Sequence, residues 1–80
     1  VKNPSEIKAL GTHLRQLRDA RNLSQQELAD IADLAKITIQ RIENAKYCPT
    51  IDVLISIASA LKIGLPELVA FKTQKPKKKN

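Results

Sequence analysis

The stretch LAKITIQRIENAK, residues Leu34 to Lys46, decides the fold. Three consecutive β-branched residues, Ile37, Thr38 and Ile39, give it the look of a strand, and Lys36 to Gln40 alternates polar with apolar. A single strand would leave its backbone groups without partners. Nothing else in the chain offers one: no Asn-Gly, Asp-Gly or Gly-Gly pair marks a hairpin anywhere. As a helix, the same residues sort onto two faces. Leu34, Ile39 and Ile42 share one, while Lys36, Ile37, Gln40 and Arg41 share the other. The stretch is therefore expected to be a helix carrying one isoleucine on its polar face.

The flanking segments are helical too. Asn3-Pro4-Ser5-Glu6 suits a helix start, with Asn3 able to cap, Pro4 at the first helical position and Glu6 where a capping-box acid belongs. Ile7, Leu10, Leu14 and Leu17 then recur at spacings of three and four, and the helix is expected to end near Asn22. Ser24-Gln25-Gln26-Glu27 is a second capping-box pattern, opening a short helix that carries Leu28, Ala29, Ile31 and Ala32. Thr50, with Asp52 behind it, suits the start of a fourth helix, whose face is Leu54, Ile57, Ala58 and Leu61. Gly64 is expected to close it in a left-handed conformation. A last short helix is expected from Pro66 to about Phe71, with Leu68 and Phe71 turned inward. The expected fold is all-α, with five short helices and no internal repeat.

Composition bounds the function. Eighty residues make one domain with a small core; there is no 18-residue apolar run, and no signal peptide is expected from the opening Val1-Lys2-Asn3-Pro4. The chain starts on Val1 without a Met, which reads as a trimmed or processed start. Cys48 is alone, which rules out an internal disulfide and argues against a cysteine-based metal site; a reducing, cytoplasmic setting is expected. Of the 14 Lys and Arg, five lie in Lys72 to Asn80, KTQKPKKKN, so residues 1–71 are close to neutral. That basic tail is expected to be disordered and set apart from a folded domain at residues 3–71. It either adds sequence-independent attraction to phosphates or is simply a solubilising end or a severed linker. The residues argue against an enzyme. There is one His, one unpaired Cys, two separated glycines (Gly11 and Gly64) and no clustered carboxylate pair; no metal or cofactor is expected.

The pair of helices from Gln25 to Glu43 has the layout of a helix-turn-helix. Small Ala29 lies where two helices approach, the turn falls at Asp33, and Ile39 and Ile42 anchor the second helix. Here the sequence resembles the lambda-repressor-like (Cro/C-one type, XRE) helix-turn-helix family. The likeness is carried by Leu10-Gly11, Leu14, Leu17-Arg18, Leu23-Ser24-Gln25-Gln26-Glu27-Leu28-Ala29, Ile39, Ile42-Glu43-Asn44, Pro49, Leu54, Ile57-Ala58 and Ala60-Leu61. It covers residues 10 to about 70. The chain departs from the family in two places. Asp33 stands where a turn glycine is usual, and Asp tolerates the left-handed region better than most residues. Ala45 stands where a glycine usually follows the recognition helix, so that exit is expected to use Asn44 or a different loop geometry.

The resemblance implies roles position by position. Lys36, Ile37 and Arg41 match base-reading positions, with Gln40 beside them. Arg41 suits a guanine, Lys36 a guanine or a phosphate, Gln40 an adenine, and Ile37 a thymine methyl. The alternative is an ordinary solvated helix face, with Ile37 buried in a protein interface. Gln25 matches a phosphate-contacting position, or is a surface glutamine; Ser24 is first a cap and then a phosphate contact. Thr38 and Lys46 are further phosphate candidates. Arg18 and Glu43 match a structural ion pair. His13 is expected at the surface or the edge of the core, and Tyr47 and Cys48 at a domain edge or a dimer seam. Ile51, Ile55 and Leu65, with Val53, can supply an apolar dimer patch, although scattered exposed aliphatics are ordinary.

The expected function is sequence-specific binding of double-stranded DNA in the major groove. The protein would be a bacterial or phage transcriptional regulator, a repressor in the first instance, acting as a homodimer on a short palindromic operator. One alternative is an antitoxin that binds a toxin and its own promoter. Another is the DNA-binding module of a longer protein. No membrane partner is expected.

Overall fold

A computed structural model describes residues 3–71, and Lys72 to Asn80 lie outside the described residues. The described chain forms α1 (Pro4–Ala20), α2 (Gln25–Ala32), α3 (Lys36–Glu43), α4 (Ile51–Ala60) and α5 (Leu65–Leu68), with no strand among the described residues. The core is built from Leu10, Leu14, Leu28, Ala29, Ile39, Ile42, Leu54, Ile57, Ala58, Leu61 and Leu68. Every periodic position of α4 anticipated from its spacing is buried, as are Leu10 and Leu14 of α1, while Ile7 and Leu17 are half-buried. α3 packs on both α1 and α2, and α4 packs on α2 and α5.

Local chemistry explains the helix starts. The Ser24 hydroxyl accepts from Glu27 N–H at 3.0 Å and the Glu27 carboxylate accepts from Ser24 N–H at 2.8 Å, a complete capping box on α2. Thr50 Oγ1 accepts from Val53 N–H at 3.2 Å at the start of α4. Asn3 occupies the cap position of α1 but makes no side-chain cap bond, contrary to expectation; its carbonyl accepts from Ile7 N–H at 3.0 Å, the first bond of the helix ladder.

The helix ends follow one pattern, and no glycine takes part in it. Asn22, Asp33, Ala45 and Lys62 all have φ between 56° and 62°. Each is followed by a backbone N–H that reaches back five residues: Leu23 to Arg18, Leu34 to Ala29, Lys46 to Arg41 and Ile63 to Ala58. These are Schellman closures of α1, α2, α3 and α4. Leu23, Leu34 and Ile63 then pack their apolar side chains on the core, as the motif favours.

Four expectations need correction. Gly64 does not close α4: Lys62 takes the left-handed conformation because it follows Leu61, the last core residue of that turn, and Gly64 instead precedes α5 at φ −83°. Ala45 itself turns left-handed (φ 59°), not Asn44 (φ −94°), since the closing bond from Lys46 to Arg41 requires that position. Leu34 lies in the turn before α3, serving the closure of α2 rather than the apolar face of α3. The last helix is one turn, Leu65–Leu68, and stops once Leu68 is in the core; Phe71 reaches the core edge beyond it.

Candidate nucleic-acid interface

The rotation of α3 is set by its contacts. Ile39 and Ile42 are fully buried, and α1 comes against the end of α3 at Gly11. A Cβ on Gly11 would lie 2.5 Å from the Ile42 carbonyl oxygen and 2.8 Å from that of Glu43. Only a residue without a side chain allows two backbones this close. With that face committed, Lys36, Ile37 and Arg41 are exposed and Gln40 is half-buried. The Ile37 side chain is 48% exposed, a large apolar group flanked by two cations. Lys36 and Arg41 engage no other side chain among the described residues, which leaves their hydrogen-bond donors unspent.

Glu43 ties this helix to the rest of the domain. Its side chain is fully buried, and both of its oxygens are hydrogen-bonded. Arg18 Nε donates to Oε2 at 2.7 Å and Arg18 Nη2 to Oε1 at 3.0 Å, the two-pronged geometry that suits guanidinium and carboxylate. Gln25 Nε2 donates to Oε1 at 3.0 Å, and Arg15 Nε to the same oxygen at 3.3 Å. Arg18 also donates to the Leu23 carbonyl at 2.7 Å, and so touches the closure of α1. Burial pushes the Glu43 carboxyl up, but the hydrogen bonds from Arg18, Gln25 and Arg15 and the Arg18 charge outweigh it and hold the group below its usual value. Hydrogen bonding to Glu43 raises Arg18 in turn. A single carboxylate at the end of α3 thus joins that helix to α1 and to the start of α2.

The other residues singled out by sequence distribute as follows. Ser24 spends its hydroxyl oxygen as a cap, and one amide hydrogen of Gln25 is spent on Glu43. Thr38 is half-buried and Lys46 exposed. Ala35 stands at the cap position before α3 and offers no side-chain cap, unlike the residues before α2 and α4. Ile51 and Ile55 lie one turn apart on α4, 60% and 50% exposed, whereas Leu65 packs partly on the core. His13 is half-buried; its Nε2 lies 3.0 Å from the Glu67 carbonyl and its ring 6.4 Å from that of Phe71, at the edge of the core. Tyr47 packs on the core and Cys48 is exposed. Arg15 escaped sequence reading. Its spacing of three from Arg18, which places both on one face of α1, was the available signal.

A helix-turn-helix family model matches residues 14–68, and the chain belongs to that family, of the Cro/C-one (XRE) type. The fold and this family define a DNA-binding transcriptional regulator. Control protein C.SmaI of Serratia marcescens is 35% identical over 60 residues, covering 75% of this chain and 71% of its own length. The solved restriction-modification controller protein C.AhdI of Aeromonas hydrophila superposes with a TM-score of 0.76 at 31% identity, over 78% of this chain and 94% of that one. The biofilm master regulator SinR, solved in complex with DNA, gives a TM-score of 0.70 at 30% identity, over 75% of this chain and 97% of its own.

Proposed function

We propose that this regulator reads a short, roughly palindromic operator as a homodimer, with α3 of each copy in the major groove, and represses where that operator overlaps a promoter. The observation that carries the reading is the division of α3. Ile39, Ile42 and Glu43 are spent on the fold, while Lys36, Ile37, Gln40 and Arg41 are left together on the opposite face. Arg41 and Lys36 supply donors for guanine, Gln40 suits adenine, and Ile37 packs on a thymine methyl. Gln25 keeps one amide hydrogen, and Ser24 its hydroxyl hydrogen, for phosphates that set the register; Thr38 and Lys46 add two further phosphate contacts. Residues 3–71 act as the DNA-binding domain, and the lysines from Lys72 to Lys79 strengthen binding to any duplex.

Dimerisation is assigned to the apolar strip on α4 formed by Ile51 and Ile55, extended by Leu65. Two related half-sites would then lie about 34 Å apart, one turn of DNA. On this reading the protein acts in the cytoplasm of a bacterium, where a phage-encoded regulator would also act. The reading is tested by selecting bound duplexes from a random pool at near-physiological salt. A symmetric motif with half-sites one turn apart is the expected product. Recovery of no motif, with binding that vanishes as salt rises, would overturn it.

A further inference from the structure

Arg15 stands out among the groups that neither the fold nor the base-reading face absorbs. Its side chain is 51% exposed, although its Nε donates to a carboxylate oxygen that is fully buried. That oxygen, Glu43 Oε1, already accepts from Arg18 at 3.0 Å and from Gln25 at 3.0 Å. A carboxylate oxygen offers about two lone-pair sites, so three donors oversubscribe it, and the longest bond is the weakest held. The longest is that of Arg15, at 3.3 Å. Glu43 would lose little if Arg15 left, because Arg18 grips both of its oxygens. Charge points the same way. Two guanidinium groups face one carboxylate, and only Arg18 has a second carboxylate, Asp19, at 3.4 Å.

The position of Arg15 supplies the rest. Arg15 on α1 and Gln25 on α2 touch the same oxygen atom, so their side chains are neighbours although ten residues apart in sequence. Gln25 is the residue assigned above to a backbone phosphate. A phosphate seated on Gln25 therefore lies beside a half-exposed guanidinium whose terminal nitrogens are uncommitted among the described residues. We infer that Arg15 is a second donor to the phosphate held by Gln25, a bridge between α1 and α2 that Glu43 aims from behind. In free protein Glu43 holds Arg15 near its working position; on DNA the guanidinium turns its terminal nitrogens to the phosphate in the forked geometry that arginine favours.

This inference rests on the DNA-binding reading, and the test separates the two. Binding of wild type, Arg15→Gln, Arg15→Lys and Lys62→Gln to one duplex is followed by fluorescence anisotropy across a series of salt concentrations. Thermal unfolding is recorded in parallel. Each phosphate contact contributes about 0.9 to the slope of log affinity against log salt. Arg15→Gln is expected to lower that slope by about one and to weaken binding several-fold at low salt, with its melting temperature near that of wild type. Arg15→Lys should restore most of the slope. Lys62→Gln, which removes an equal charge at the exit of α4, should keep the wild-type slope. Wild-type binding with an unchanged slope in Arg15→Gln would overturn the role of Arg15 alone. Equal slope losses in Arg15→Gln and Lys62→Gln would overturn it as well, reducing the effect to net charge. A wild-type protein that fails to bind duplex at any salt would overturn both readings.

Discussion

The two faces of α3 are made from the same eight residues and differ in what their side chains have spent. On the inner face Ile39 and Ile42 are fully buried, and Glu43 has three side chains donating to it. On the outer face Lys36, Ile37 and Arg41 project into solvent with no side-chain partner among the described residues. The inner face answers to stability, because every atom there has been desolvated and a missing partner goes uncompensated. On the proposed reading the outer face answers to recognition, because its donors and its one apolar group would gain a partner only when DNA docks. Substitutions on the two faces should therefore fail different assays.

The largest effect belongs to Arg18→Ala. Removing one partner of a buried ion pair costs ~3–5 kcal/mol, since the remaining charge is left in a low-dielectric site. Arg15 and Gln25 still donate to Glu43, so the lower part of that range is expected, measured as the shift of the urea midpoint. The pH dependence has a definite sign. Glu43 is held below its usual value in the folded state, so its contribution is complete above the ordinary carboxylate range and is lost as pH falls through the folded value. The stability gap between wild type and Glu43→Gln should accordingly be wide at neutral pH and close in acid. A gap independent of pH would mean that the charge of Glu43 contributes nothing.

Gly11→Ala comes next. Its methyl would lie 2.5 Å from a backbone oxygen, which no rotamer change can relieve, so α1 and α3 must separate. Overpacking of this kind costs ~1–3 kcal/mol or more. Because the shift moves α3 as a body, DNA affinity should fall together with thermal stability. A variant that melted like wild type would break the claim that this contact seats the helix.

Smallest is Ala45→Gly. An alanine in the left-handed region costs ~1–2 kcal/mol relative to glycine, offset in part by the freedom glycine adds to the unfolded chain. A net gain of ~1 kcal/mol is expected from thermal denaturation, with sequence preference unchanged. Loss of stability would mean that the Ala45 methyl makes a contact worth more than its strain.

The same division explains what could be foreseen. The capping box at Ser24 and Glu27 and the apolar periods of α1 and α4 are local patterns, and they were legible because local hydrogen bonds and helical spacing produce them. The placement of Ile37 opposite Ile39 and Ile42 was legible for the same reason. The exits through Ala45 and Lys62 were not, since neither residue advertises a positive φ and the nearby Gly64 pointed elsewhere. There the core decides where a helix must stop, and whichever residue comes next accepts the strain. The three donors meeting at Glu43 Oε1 belong to the same class. Arg15, Arg18 and Gln25 lie on two helices, and only the packing of α1 and α2 against the end of α3 brings them to one atom.

The most direct test of the division of α3 is the binding of wild type and Arg41→Ala to a selected operator and to each of its single-base variants, with both stabilities recorded. The account predicts that Arg41→Ala loses ~1–3 kcal/mol of discrimination at one position of each half-site, keeps its preference at the others, and unfolds within ~0.5 kcal/mol of wild type. Equal loss at every base, or a loss that follows destabilisation, would contradict it.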